Sequence, residues 1–138
     1  MLPEALPPGS AADWLRHARS DLALAKTRSV PEVLLESLCF HAQQAAEKAL
    51  KAVLVARAIP FPRTHNLGAL LDLLANALQP PAEIQAADIL TDYAVSSRYP
   101  GEVEPITEEE YQEALRLAER VVHWAAECTS SSSGTEPT

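Results

Sequence analysis

Apolar residues recur three and four positions apart along most of the chain, the period of a helix with one buried face. The first such segment opens at Ser10, which forms a capping-box pair with Asp13 three residues on. Trp14, Leu15, Ala18, Leu22 and Ala25 carry it to about Thr27. Ser29 and Glu32 repeat the pair, with Pro31 in the first turn, where its missing N–H costs nothing. From there the longest helix is predicted to reach about Ala58, with Leu34, Leu38, Ala42, Ala45, Ala49, Ala52 or Val53, and Ala56 as its inner stripe. Ile59 to Thr64 reads as an extended loop, because Pro60 and Pro62 each disfavour helix in the residue before them.

Asn66 or Thr64 caps a short third helix through Leu67, Leu70, Leu71 and Leu74. Pro80-Pro81 breaks the chain, and a fourth helix carries Ile84, Ala87, Leu90 or Thr91, and Ala94, ending before Pro100-Gly101. Thr107 with Glu110 opens the last helix, which puts Tyr111, Ala114, Leu115, Ala118, Val121, Val122 and Ala125 inside. The prediction is an all-α, antiparallel up-and-down bundle of four to five helices over residues 11–128. Residues 1–10 are expected to be flexible, and the Ser/Thr/Gly/Pro tail 129–138 to be disordered, having nothing to bury.

Composition agrees with a helical reading. Apolar residues make up 47%, mostly alanine and leucine, with 5% aromatics and four glycines, too few turn and β-branched runs for a barrel or sandwich. The net charge of −8 argues against a general nucleic-acid coat or a polybasic membrane binder, while leaving room for a small local patch. Cys39 and Cys128 lie inside helical patterns and read as small core residues of a reducing compartment. The first ten residues lack the basic and apolar regions of a signal peptide, and no apolar run is long enough for a membrane span. A cytoplasmic protein without membrane association is expected. His17, His41, His65 and His123 are scattered, the cysteines unpaired and the glycines dispersed, so neither a metal site, nor a phosphate loop, nor a cofactor is expected.

Candidate chemistry sits in three places. His41, Gln44, Lys48 and Lys51 follow at spacings of three, four and three, which lines them along one ridge of the second helix, and Glu47–Lys51 has the favourable order of an i,i+4 pair. The ridge is either a solvated face or one wall of a site. His65, in Arg63-Thr64-His65-Asn66, is either a cap-region residue or an anion contact at a helix N-terminus. Arg98, followed by Tyr99, either complements the dipole at the end of the fourth helix or grips a phosphate beside an aromatic platform.

Together these pieces resemble the HEPN family, named for higher eukaryotes and prokaryotes nucleotide-binding. The resemblance runs from Ala12 to Ala126. Its marks are Trp14-Leu15 with Ala18 and Asp21-Leu22; the stretch Phe40-His41-Ala42-Gln43-Gln44-Ala45-Ala46-Glu47-Lys48; Thr64-His65-Asn66-Leu67; and Tyr93 with Arg98-Tyr99-Pro100. It implies a bundle of four or five helices, often dimeric, and frequently encoded beside a minimal nucleotidyltransferase in two-part systems that include toxin–antitoxin pairs. Many members cleave RNA with an Arg followed by a His after four to six residues, two such motifs meeting across the dimer. Here Arg98 is followed by Tyr99, Pro100, Gly101, Glu102, Val103, Glu104 and Pro105, without a histidine. Arg116 and His123 have the spacing on another helix, where coincidence accounts for it.

The expected function is therefore the non-transferase component of such a pair, binding a nucleotide, an RNA or the transferase, and forming a homodimer through alanine-rich faces of the second helix. The alternatives are an atypical HEPN ribonuclease toxin and a helical adaptor without a ligand. The expected site is a polar groove where His41, Gln44, Lys48, Lys51, His65, Arg98 and Tyr99 converge.

Overall fold

Helix α2 (Leu35–Ala56) is the axis around which the other elements pack, and its sequence explains why. Ala42, Ala45, Ala46, Ala49 and Ala52 are fully buried within the single chain, on more than one side of the helix. Small side chains all round let neighbours approach closely on several faces. Helices α1 (Ala11–Ala25) and α5 (Glu108–Gly134) pack on it and on each other, and α3 (Leu67–Ala75) lies along a third side. The alanines are consumed inside the bundle and are not free for the expected contact between two copies of the chain.

The computed structural model describes residues 9–94 and 105–134. Among these there are five α-helices and no strand, the fourth being a single turn, α4 (Ala82–Gln85). Arg98 and Tyr99 lie outside the described residues, and so does their place relative to the ridge. Among the described residues, no helix is long and apolar enough to cross a membrane.

Local capping sets most boundaries. Ser10 and Asp13 form their box, Asn66 Oδ1 accepts from Ala69 N–H, and Thr107 and Glu110 exchange both bonds at the start of α5. The Ser29–Glu32 box does not start α2. Val30 N–H bonds Thr27 O and Val33 N–H bonds Val30 O, so residues 27–33 are successive tight turns that reverse the chain between α1 and α2. Pro31 contributes by disfavouring helix at Val30. Leu34 then caps without a side-chain bond and is 65% exposed, rather than opening the inner stripe.

Two further departures have physical causes. The expected fourth helix is one α-turn that continues as a 3₁₀ helix, Ala86–Tyr93. Ile84, Ala87 and Leu90 are buried and three apart, the spacing that a three-residue turn keeps on one side. That segment presses on α3 where Gly68 leaves space, since a Cβ there would stand 2.9 Å from Asp88 Oδ1. At the other end, α5 continues through Gly134, past Thr129, whose hydroxyl donates back to Ala126 O. Leu117 takes a buried place on α5, while Leu115 is half-buried. Cys39 is buried, Cys128 half-buried, and no disulfide joins them.

Helix α2 ends in a Schellman motif. Ile59 N–H bonds Leu54 O at 2.9 Å, Ala58 N–H bonds Val55 O at 3.0 Å, and Ala58 takes a φ of 57°. This turn aims the proline loop back along α2 and delivers His65 to its middle.

Candidate functional site

At about 100° per residue, positions 41 and 48 of α2 point one way, 44 and 51 lie beside them, and 43 and 47 follow further round. The structure fills this sector with two adjacent clusters of polar side chains, which together form one seam. On the α1 side, Asp21 is 7% exposed and receives two partners: its Oδ1 lies 2.9 Å from His41 Nδ1 and its Oδ2 2.7 Å from Lys48 Nζ. On the α3 side, Glu47, 3% exposed, has its Oε1 2.9 Å from His65 Nδ1 and its Oε2 2.7 Å from Lys51 Nζ.

Two glutamines complete the second cluster. Gln43, fully buried, donates to Glu47 Oε1 at 3.0 Å and to His65 O at 3.2 Å. Gln44 donates to Gln43 Oε1 at 2.7 Å and reaches Glu47 Oε1 at 3.5 Å. An ionised carboxylate only accepts, so Nδ1 carries the proton in both histidines and Nε2 is the nitrogen left for a ligand. Lys51 is enclosed, its Nζ 5.6 Å from the centroids of both the Trp14 and the Phe61 rings, which meet edge to face.

Burial pushes the Glu47 carboxyl upward, but the bonds from Lys51, Gln43 and His65 outweigh it and hold the group below the ordinary carboxylate range. The carboxylate is thereby a fixed anion inside the bundle. Each lysine of the ridge faces one: Lys48 has Asp21, and Lys51 has Glu47. The seam is therefore not a patch of free cations. With neutral imidazoles its formal charge sums to zero, and protonation of His41 or His65 makes it positive.

Of the expected residues, the structure brings His41, Gln44, Lys48, Lys51 and His65 into this one seam. Lys51 lines its floor rather than a groove open to solvent, being 7% exposed. His65 is the outermost member, with 65% of its side chain exposed, while His41 retains 32%. The charged partners Asp21 and Glu47, the buried Gln43, and the ring pair Trp14 and Phe61 complete the seam. Asp21 carried a readable signal: an acid three residues after Ala18 and four before Ala25, on the inner stripe of α1.

Exposed His123 has ordinary surroundings. His123 faces Glu127 and Arg116 pairs with Glu113, both as surface contacts along α5. Among the described residues, no group of His, Cys, Asp and Glu has the arrangement of a metal site.

The HEPN domain model matches residues 11–128. Among solved structures, the chain is similar to ST0689, described as an archaeal HEPN homologue, at 31% identity and a TM-score of 0.70 over 86% of this chain and 97% of that one. It is equally similar in shape to TT1696 from Thermus thermophilus, at 34% identity and a TM-score of 0.70, with the same coverage of both chains. No curated protein matches. The family match spans the bundle and contains every element that builds the seam, so this chain belongs to the HEPN domain family.

Proposed function

We propose that this protein is the HEPN component of a two-part nucleotidyltransferase system of the toxin–antitoxin kind, and that it acts by binding rather than by cleaving RNA. The observation that carries this reading is the pair of imidazoles on α2 and at the start of α3. His41 and His65 are each held through Nδ1 on a buried carboxylate, which leaves Nε2 for a ligand. Gln44, bonded to Gln43, sits about one helical turn from His41.

Groups fixed in this way lose little freedom on binding, so they suit recognition of a polar partner by directed hydrogen bonds. A neutral Nε2 accepts from a hydroxyl or amide, and a protonated one donates to a phosphate. The ridge lysines are already neutralised, and the chain carries a net charge of −8. Recognition by geometry therefore fits this surface better than capture of a polyanion by bulk charge. The partner is the transferase subunit, with the nucleotide or RNA group it handles reaching the same seam.

The ribonuclease alternative draws no support from α5, where Arg116 and His123 each have a neighbouring acid. The test is co-expression with a minimal nucleotidyltransferase encoded next to this gene. A complex that survives gel filtration supports the reading. A chain that elutes alone, and shows no heat of binding with any nucleoside triphosphate, contradicts it.

A further inference from the structure

A second concave feature opens beyond the seam, at the other side of Lys48. It is a cleft of about 360 Å3 between the start of α1 and the middle of α2, lined by Gly9, Asp13, Trp14, Arg16, His17 and Lys48. That volume lies within the range of small-molecule sites, roughly 300–1,000 Å3. We propose that this cleft binds a small organic anion, whose carboxylate or phosphate group meets Arg16, His17 and Lys48 while its apolar body lies on the Trp14 indole. The proposal stands apart from the transferase pairing and does not need it.

Three observations point there. The first is the supply of donors: Arg16, His17 and Lys48 line the cleft with Asp13, and although Asp13 pairs with Arg16 and Asp21 pairs with Lys48, neither pair uses up its cation. Asp13 is engaged by Arg16 Nη2 at 3.3 Å and by Ser10 N at 3.5 Å. Lys48 gives one of its three donors to Asp21, and Arg16 has five in all, so donors remain for an anion.

The second is an unmet donor. Trp14 Nε1 is buried and has no hydrogen-bond partner among the described residues. Native structures rarely leave such a group without a reason, and an acceptor brought by a ligand would satisfy it once the Gly9 backbone beside it gives way. The third is the glycine. Gly9 has a φ of +97°, and a Cβ there would stand 3.6 Å from Trp14 Nε1, over the edge of the indole that carries the donor. Only glycine adopts that backbone readily.

Two-dimensional 1H–15N spectra of the full chain provide the test, since the protein has two indoles and Trp124 serves as the internal control. The probes are phenyl phosphate, benzoate and inorganic phosphate. The expected result is a saturable shift of the Trp14 indole N–H with phenyl phosphate, benzoate or both, while Trp124 stays in place. Whichever organic anion binds identifies the anionic group. Inorganic phosphate should bind at least tenfold more weakly, because it has no body for the indole. R16A/H17A changes two exposed positions, leaves the buried face of α1 untouched, and should weaken binding at least fivefold. The proposal is overturned if neither organic anion shifts Trp14, if inorganic phosphate binds as tightly as phenyl phosphate, or if the double variant binds like the parent.

Discussion

Nδ1 of His65 lies 2.9 Å from Oε1 of Glu47, across a separation of 18 residues. This contact, with the Gln43 bond to His65 O, pins the end of the proline loop to the middle of α2. The same logic recurs on the other side, where Asp21 of α1 holds His41 and Lys48. A bundle of this size could be closed by apolar contacts alone. Here its central helix is also tied to two neighbours through buried carboxylates, and the groups they hold reach the surface as imidazoles.

Removing the Glu47 carboxylate should be among the most damaging single changes. Glu47→Ala leaves Lys51 without its anion and Gln43 without one acceptor, and breaking a buried pair from one side costs about 3–5 kcal/mol. Urea denaturation followed by circular dichroism should show that loss. By contrast Arg16→Ala, which breaks a pair exposed on both sides, should leave the urea midpoint close to that of the parent.

Acid sensitivity follows from the same group. The folded protein holds Glu47 below its ordinary value of 4.5, so between the folded and unfolded values the unfolded chain binds more protons and stability rises with pH. The contribution is fully present above about 4.5 and fades as the pH falls through the folded value. Stability measured from pH 6 downward should therefore drop for the parent, and Glu47→Gln, which does not titrate, should flatten the slope below pH 4.5.

Ala58 should be improvable. It takes a left-handed φ of 57° to complete the Schellman turn, a conformation that costs an L-residue about 1–2 kcal/mol and glycine far less. Ala58→Gly also loosens the unfolded chain, so the expected net gain is about 0.5–1 kcal/mol. A rise in the urea midpoint at unchanged slope would show it.

RNA cleavage should be absent. Arg98 is not followed by a histidine at the spacing typical of HEPN ribonucleases. Purified protein incubated with structured and single-stranded RNA in chelator should leave both intact. Cleavage that disappears in Arg98→Ala would show that the residue works without the usual partner.

How far these features could be read from sequence depends on their range. Three caps were readable because each is a three-residue exchange: Ser10–Asp13, Asn66 with Ala69, and Thr107–Glu110. Ser29–Glu32 has the same local form, yet the chain must reverse there, and tertiary demand prevailed over the local pair. The 3₁₀ stretch after Gln85 was hidden for a similar reason, since Ile84, Ala87 and Leu90 satisfy both helix types at spacing three. In the seam, the polar spacing on α2 was readable, but the partner of each group was not. Asp21 and His41 are 20 positions apart, and only the packing of α1 on α2 joins them. That packing also reversed the meaning of the alanines, which serve neighbours within the chain.

The proposed role is tested most directly by binding to a nucleotidyltransferase, the proposed partner, with and without the outward face of the seam. His65→Ala together with Gln44→Ala removes an exposed and a half-buried group while leaving the Glu47–Lys51 pair in place. Calorimetric titration of the transferase into this variant should show at least tenfold weaker binding than the parent, about 1.4 kcal/mol, with helicity unchanged. His123→Ala, on an exposed stretch of α5, should bind like the parent. Equal affinity for the seam variant and the parent would contradict the account.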